Sequence, residues 1–192
     1  MLPASGAAHE AEAGMSEAMT PFQRLCEIDR QCRQRGLSLP ARRKVAAQWG
    51  GIGFRLRQHH CVVPMGELGE VLHEPRQTRL PGVREWVRGV ANVRGRLLPI
   101  MDLGQLLGFA PVAAGPQRRV LVVEQDEVFA GLLVDEVFGM QHFAVSSFNA
   151  ALPALEAPLQ PLVQGVFRRE RDWLVFSPHA LVARPAFLDV AR

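Results

Sequence analysis

His59, His60 and Cys61 are consecutive residues whose side chain types could bind a metal ion. Imidazole and thiolate groups are the ligands that zinc prefers in proteins. Consecutive residues on a strand point to opposite faces, so these side chains are poorly placed to share one ion. We therefore expect a solvent-exposed hairpin tip here, and the sequence predicts no metal and no cofactor.

Residues that could act as nucleophiles lack the surroundings that would activate them. Cys26 and Cys32 lie on different sides of a predicted helix, and neither has a nearby base. Ser146 and Ser147 do not stand in a G-x-S-x-G turn. The glycine-rich segment 50–53 lacks the lysine that follows in a phosphate-binding loop. The sequence therefore predicts no catalytic residue, although residues distant in sequence can converge in a fold.

The composition is that of a folded protein of one or two small domains. The chain has 192 residues, of which 48% are hydrophobic and 21% are charged, and its net charge is +3. That charge is too small to indicate nucleic acid binding by itself.

No apolar run reaches the ~18 residues of a membrane span. No basic segment precedes an apolar stretch at the N-terminus, as it would in a signal peptide. We expect a cytoplasmic protein with reduced cysteines.

The N-terminal quarter differs in pattern from the rest of the chain. Residues 1–19 are rich in Ala, Gly and Glu and are predicted to be a flexible tail, and residues 20–49 a helical extension. Phe22, Leu25 and Ile28 repeat at three-residue spacing, which predicts one apolar stripe on a helix that starts after Thr20. We expect this stripe to pack on a hydrophobic surface. A second short helix is predicted to run towards Trp49.

From Gly53 onwards the pattern is that of short strands separated by Gly and Pro. An offset of 66 residues places residues 53–72 over 119–138 without a gap, so that Phe54 matches Val120 and Glu70 matches Glu136. Each of these segments predicts a hairpin followed by an apolar-x-Glu-Val strand. The sequence therefore indicates a duplication, with each half forming about five strands that can curl into a small barrel.

The remaining predicted elements occur in the same order in both halves. Residues 87–90 and 163–166 are strands that each contain a glycine, and each is followed by a polar turn, an apolar strand and a short helix. Asp102 and Ser177 are predicted to be the N-caps of these two helices. The turn at 168–172 lacks the Arg-Gly of the turn at 92–96, so the two halves are not expected to be functionally equivalent.

Two segments of the chain resemble the signature of CheW-like chemotaxis coupling proteins. They are residues 80–103 (LPGVREWVRGVANVRGRLLPIMDL) and 131–137 (GLLVDEV), and the resemblance extends over roughly residues 53–182. It implies a mainly all-β fold of duplicated, intertwined five-stranded SH3-like β-barrels, with a CheW-like domain at about 50–184. The first barrel is expected at about 53–108 and the second at about 118–182, with strand exchange between them left open. The N-terminal part is similar to the branch that serves type IV pilus twitching motility.

This resemblance implies a non-enzymatic adaptor that couples a methyl-accepting chemotaxis receptor to a CheA-type histidine kinase. Carried over position by position, it suggests Glu70 and Gly89 as kinase contacts. It suggests four residues as receptor contacts: Leu68, Arg94, Gly131 and Val137. Each has a simpler alternative, because Leu68 and Val137 could be core residues, Gly89 and Gly131 could permit close packing, and the two charged residues could be solvated.

The alternative function is a nucleic-acid-binding β-barrel module. Between Pro21 and Arg57 the chain has nine basic residues against Glu27 and Asp29. However, tyrosine is absent, and no predicted strand alternates basic with aromatic residues for base stacking. We therefore favour the adaptor and predict no nucleic acid partner, with any membrane association occurring only through the receptor.

Overall fold

The structure is a computed structural model that describes residues 20–35, 47–125 and 127–191. Residues up to Val45 and residues from Ala46 onwards form two separate compact units. The first unit contains helix α1, Pro21–Gln34. The second contains eleven strands and three short helices: β1 Gln48–Leu56, β2 His59–Pro64, β3 Glu70–His73, β4 Val87–Val93, β5 Arg96–Asp102, α2 Leu103–Leu106, β6 Arg119–Gln125, β7 Val128–Val134, β8 Glu136–Ala144, β9 Phe148–Asn149, β10 Val163–Arg168, β11 Asp172–Phe176, α3 Pro178–Val182 and α4 Pro185–Leu188.

Helix α1 begins where the sequence predicts. The Thr20 hydroxyl accepts a hydrogen bond from the Gln23 backbone N–H, and the Gln23 side chain accepts one from the Thr20 N–H, which together form a capping box. The apolar stripe is exposed, with Phe22, Leu25 and Ile28 at 74, 64 and 55%. That this stripe packs on a hydrophobic surface stays a prediction.

The β structure starts five residues earlier than the sequence suggests. Trp49 lies in β1, where it is opposite Phe143 of β8, so the helical extension does not continue to residue 49. The β-branched and aromatic content that identified the later strands is low here, because Gly50 and Gly51 follow Trp49 directly. The second short helix was predicted for residues that lie mostly outside the described ranges.

The strands form two sheets that exchange hairpins. The orders are β3-β6-β7-β5-β4 and β8-β1-β2-β11-β10-β9, which we call the first barrel and the second barrel. The hairpin β1–β2 belongs to the second barrel, and the hairpin β6–β7 belongs to the first. Two parallel pairs, β5–β7 and β2–β11, join the exchanged hairpins to their barrels. The predicted mainly β, duplicated and intertwined fold is confirmed.

Apart from β9, which adds a sixth strand beside β10, the two sheet orders are the same if β1 is matched to β6, β2 to β7, β3 to β8, β4 to β10 and β5 to β11. The register, however, corrects the predicted residue matches in the hairpins. Leu56 pairs with His59 at one hairpin end and Gln125 with Val128 at the other, so the structural offset is 69 and not 66. Strands with apolar residues on both faces look alike when shifted, and an odd shift exchanges the two faces. With the corrected offset, Glu70 corresponds to Gly139 and no longer to Glu136.

The second part of the duplication keeps the predicted order of strand, turn and strand, but the segment between the equivalent paired residues is one residue shorter in the second half than in the first. Val90 lies opposite Pro99 and Val166 opposite Leu174, and both strands have an irregularity just before these pairs, next to Gly89 and Gly165. The predicted caps are also present: Asp102 accepts from the Gln105 N–H and Ser177 from the Ala180 N–H.

The core has one shared cluster and two separate barrel interiors. The shared cluster takes residues from both sheets, including Phe54, Leu121 and Phe176. The interior of the first barrel is aliphatic: Ala91, Leu98, Ile100, Val120, Val122 and Leu133. The interior of the second barrel is mostly aromatic: Val62, Phe143, Phe167, Trp173 and Val175, with Trp49 and Phe138 packed against them.

Candidate interaction surfaces

Glu70 and Arg94, which the sequence assigns to different partners, form an ion pair with each other. Arg94 Nη2 is 2.5 Å from Glu70 Oε1, and the arginine side chain is 78% exposed. Glu70 starts β3 at one edge of its sheet, and Arg94 is in the turn after β4 at the opposite edge. The pair therefore spans the opening of the first barrel and lies on its surface.

A second ion pair neutralises the next arginine, Arg96, which starts β5. Arg96 Nη2 is 2.9 Å from Glu124 Oε1, and its guanidinium lies 3.8 Å from the centroid of the Phe129 ring. Cation–π contact and ion pairing together hold this side chain over the end of the barrel interior. We call this end, formed by Glu70, Arg94, Arg96, Glu124 and Phe129, the first mouth.

Gly89 and Gly131 are both buried. Gly89 has a φ of +141°, and a Cβ added there would collide with the backbone of Thr78, which bridges to Val90. A Cβ on Gly131 would lie 2.6 Å from Val120 and 2.8 Å from Ile100 in the barrel interior. Both glycines permit close packing, so any contact with a partner in these regions is made by their neighbours.

Leu68 and Val137 are half-buried and pack against the shared core. Leu68 follows a 3-10 turn formed by Met65–Glu67, and Met65 beside it is 49% exposed. Val137 lies opposite Phe54 in the pairing of β1 with β8. The structure thus supports the core alternative for both side chains and leaves part of each accessible.

The second barrel has at its corresponding end a cleft of about 360 Å³. The His60 ring stacks on Phe138 at 5.3 Å between centroids and meets Trp173 edge to face. Arg171 Nη1 is 2.8 Å from His60 Nε2, so the neutral imidazole accepts this hydrogen bond. We call this end the second mouth; the cleft is lined by His60, Phe138, Gln141, Arg169, Glu170, Arg171 and Trp173.

The structure corrects the expected environment of the two histidines. Both are half-buried strand residues of β2, and the two-residue turn before them is Arg57-Gln58. The His59 side chain points to Glu156, with Nε2 2.8 Å from Oε2, while His60 points to the cleft. Within the described ranges no three His, Cys, Asp or Glu side chains form a possible metal site.

The matches to known proteins agree with this architecture. The family model described as CheW-like domain matches residues 50–186 of the chain.

The chain belongs to the CheW-like family. It is 62% identical over 177 residues to Protein PilI of Pseudomonas aeruginosa, covering 92% of this chain and 99% of that protein. It is 31% identical over 93 residues to Protein FrzA of Myxococcus xanthus, covering 48% and 58% respectively. The fold is similar to the crystal structure of scaffolding protein TtCheW from Thermoanaerobacter tengcongensis, with a TM-score of 0.63, 21% identity and 73% and 96% of the two chains covered. The resemblance predicted from the sequence, including that to the pilus branch, is confirmed.

This CheW-like chain also contains a buried charge network that sequence reasoning missed. Asp135, at the β7–β8 junction, accepts hydrogen bonds from the Arg57 backbone N–H at 2.5 Å and from Arg57 Nη1 at 2.7 Å. Asp102 lies 3.6 Å from Arg57 Nη2 and 3.4 Å from Arg118 Nη2. The four side chains are between 2 and 10% exposed.

The network joins parts of both barrels. Arg57 is in the β1–β2 turn of the second barrel, whereas Asp102 ends β5 and Arg118 precedes β6 of the first. Asp102 and Asp135 are recognisable in the sequence only as acidic residues at element ends, and nothing there indicates which arginines they face.

None of the helices in the described residues is both long and apolar enough to cross a membrane.

Proposed function

We propose that this protein is a non-enzymatic adaptor that couples chemoreceptors to a CheA-type histidine kinase in the system that controls type IV pilus twitching motility. The observation that carries the proposal is the 62% identity to Protein PilI over nearly the full length of both chains. The adaptor acts in the cytoplasm and binds both partners, and it contributes no chemistry of its own.

The mechanism is bivalent binding on a rigid frame. Two barrels present two surfaces, and linking two modest contacts raises the effective affinity of the assembly. The buried network of Arg57, Asp102, Arg118 and Asp135 keeps the barrels in one relative orientation. A change at a receptor-facing surface is then transmitted to a kinase-facing surface by packing.

The residues that we assign to this coupling include Glu70 and Arg94 of the first mouth and Val137 on β8 of the second barrel. Glu70 is the proposed kinase contact, with the backbone near Gly89, and Arg94 is the proposed receptor contact, with Leu68, Val137 and the strand around Gly131. The ion pair between Glu70 and Arg94 means that the two contacts are adjacent, so a change in either residue releases the other.

The test is titration of the chain against a purified kinase regulatory domain and a receptor signalling fragment. We expect Glu70→Arg to weaken kinase binding and Arg94→Glu to weaken receptor binding, with melting temperatures close to the wild type because the pair is exposed. The double variant Glu70→Arg with Arg94→Glu restores the pair with reversed polarity. If the double variant recovers both affinities, the pair acts by holding the surface, and the residues are not direct contacts. Wild-type affinity in both single variants would remove them from the interface.

The nucleic-acid alternative receives little support from the basic residues that suggested it. Arg30 pairs with Glu27, Arg33 with Asp29, Arg55 with Glu136 and Arg57 with Asp135. Guanidinium groups that are paired with carboxylates are poorly available for phosphates. Binding to nucleic acid that weakens steeply with salt would revive this alternative.

A further inference from the structure

We propose that the cleft of the second mouth binds a carboxylate side chain from an acidic segment of a partner protein, held by Arg171 and Arg169 and flanked by Phe138 and Trp173. The inference is independent of which protein supplies the segment and does not rest on the proposed kinase coupling.

The two mouths are structurally equivalent. Arg96 and Arg171 each lie two residues before a buried side chain of their barrel interior, Leu98 and Trp173. With the hairpin offset of 69, Phe129 corresponds to His60. Arg96 lies over Phe129, and Arg171 donates to His60, so the two arginines cover the same place in the two barrels.

The second mouth lacks both of the internal carboxylates that the first mouth has. In the first mouth Glu124 neutralises Arg96 and Glu70 neutralises Arg94. The same offset places Arg55 where Glu124 would be and Gly139 where Glu70 would be. A Cβ added at Gly139 meets no atom within 4 Å, so the place of the missing glutamate side chain is open.

The acidic groups near the second mouth do not replace these carboxylates. Glu136 on β8 is engaged by Arg55, with Oε2 at 3.1 Å from Nε. Glu170 lies in the turn between the two arginines, but among the described residues it forms no ion pair with either of them. Arg169 instead lies 5.4 Å from the Phe143 ring centroid. The second mouth therefore has two arginines without the acidic partners that the first mouth provides.

The lining of the cleft indicates which kind of anion it binds. Phe138 and Trp173 meet edge to face at 5.6 Å and give the cleft an apolar wall beside its guanidinium groups. A glutamate or aspartate side chain presents a hydrocarbon stem to such a wall and a planar carboxylate to arginine, whose forked donors match that shape. A peptide carboxylate thus reproduces in trans the ion pair that the first mouth makes internally.

The experiment uses the full chain and two synthetic probes, acetyl-Leu-Glu-Leu-amide and acetyl-Leu-Gln-Leu-amide. Binding is followed by the NMR resonance of the Trp173 indole N–H, with Trp86 as an internal reference outside the cleft. We expect a saturable shift of Trp173 with the glutamate peptide and a much weaker one with the glutamine peptide. No saturable shift, or equal shifts with both, would overturn the proposal. A larger response to inorganic phosphate than to the glutamate peptide would also overturn it.

Two variants and one matched control locate the site. Arg171→Gln should weaken binding of the glutamate peptide about tenfold, as expected for one lost charge-assisted hydrogen bond. Gln141→Glu places a carboxylate at the cleft inside the molecule and should weaken it by a similar factor without removing any arginine. Arg96→Gln makes the same change in the first mouth and should leave affinity unchanged. Equal losses in Arg171→Gln and Arg96→Gln would overturn the assignment to the second mouth. Because Gln141→Glu keeps the aromatic wall and both arginines, it remains informative if Arg171→Gln lowers the melting temperature.

Discussion

The two barrels share one arrangement of strands, but different kinds of side chains fill their interiors. The first interior is filled by aliphatic side chains around Gly131. The second contains Trp49, Phe143, Phe167 and Trp173, and these large rings fit because glycines occupy neighbouring positions. A Cβ on Gly53 would lie 2.8 Å from Trp173, and one on Gly51 would lie 2.8 Å from Trp49. The two barrels can thus keep the same strand order although the second contains larger side chains, because glycines next to the rings leave room for them.

The difference continues to the mouths of the barrels. The first mouth is closed by two internal ion pairs, whereas the second has a histidine and arginines beside an aromatic wall. A partner that binds the first mouth must compete with these internal ion pairs. A partner that binds the second mouth meets arginines that lie beside aromatic rings without a carboxylate partner, and both residue types are enriched in binding surfaces. Variants at equivalent positions of the two barrels test how far this contrast extends.

The largest expected effect is in the aromatic interior. Trp173→Ala should lower the free energy of unfolding by about 4 kcal/mol, because the cavity left by an indole among rigid rings is large and refills poorly. Leu98→Ala, the matched change in the first barrel, should cost about 3 kcal/mol. Urea denaturation of both variants measures the difference. Equal losses, or a larger loss for Leu98→Ala, would contradict the idea that the second barrel depends on its rings.

The next effect concerns the joint that both barrels share. Asp135→Asn removes the charge that compensates the buried Arg57 guanidinium and should cost about 3 kcal/mol. Glu70→Gln is the control, because it breaks an exposed pair and should cost less than about 1 kcal/mol. Amide hydrogen exchange in the two barrels should be accelerated together by Asp135→Asn. Acceleration in one barrel only would show that the network belongs to that barrel and is not a joint.

The two equivalent glycines of the bulged strands should respond unequally. Gly89→Ala forces a side chain onto the Thr78 backbone at a φ of +141° and should cost about 2 kcal/mol. Gly165→Ala meets mainly the ring of Phe148, which is 43% exposed and can move, so its cost should be smaller. Thermal unfolding of the two variants decides the comparison. If Gly165→Ala is the more damaging change, the packing of Phe148 is tighter than its exposure suggests.

These contrasts also show which parts of the molecule could be predicted from sequence. The order of elements, the helix caps at Asp102 and Ser177 and the match of Gly89 with Gly165 follow from local residue chemistry. The hairpin register did not, because Phe54 matches Val120 as well as Val123 in hydrophobicity. Only the pairing in the sheets distinguishes these matches, and with it the face that each residue occupies.

For the candidate sites, likewise, the sequence identified single residues but not the contacts between them. The family resemblance led to Glu70 and Arg94, but nothing in the sequence showed that the two residues pair across the barrel opening. The hydrogen bond between Arg171 and His60 joins residues 111 positions apart, and that between Arg57 and Asp135 joins residues 78 apart. The interpretation of His59 and His60 as an exposed tip failed for the same reason: the residues that cover them come from distant parts of the chain.

The smallest expected effect is a dependence of stability on pH that is caused by His60. The equivalent residue of the first barrel does not titrate. Burial, and then the nearby charge of Arg171, lower the pKa of His60 below its ordinary value of 6.5, and Arg55 acts in the same direction. Glu136 opposes them with a smaller influence. As pH falls through 6.5 the unfolded chain takes up a proton before the folded protein does, so stability decreases until the lowered pKa is passed.

Phe129 occupies the corresponding position of the first barrel, which makes His60→Phe the natural variant for this test. The variant cannot take up a proton at this position in either state, so its stability should fall less than that of the wild type between about pH 7.5 and pH 5.5. Thermal unfolding of both proteins across this range measures the difference, and other titrating groups, such as Glu67, contribute equally to both curves. Parallel curves would mean that His60 is protonated as easily in the fold as outside it. In that case its hydrogen bond from Arg171 would not hold the imidazole neutral, and the second mouth would differ from the first in shape and charge but not in its response to pH.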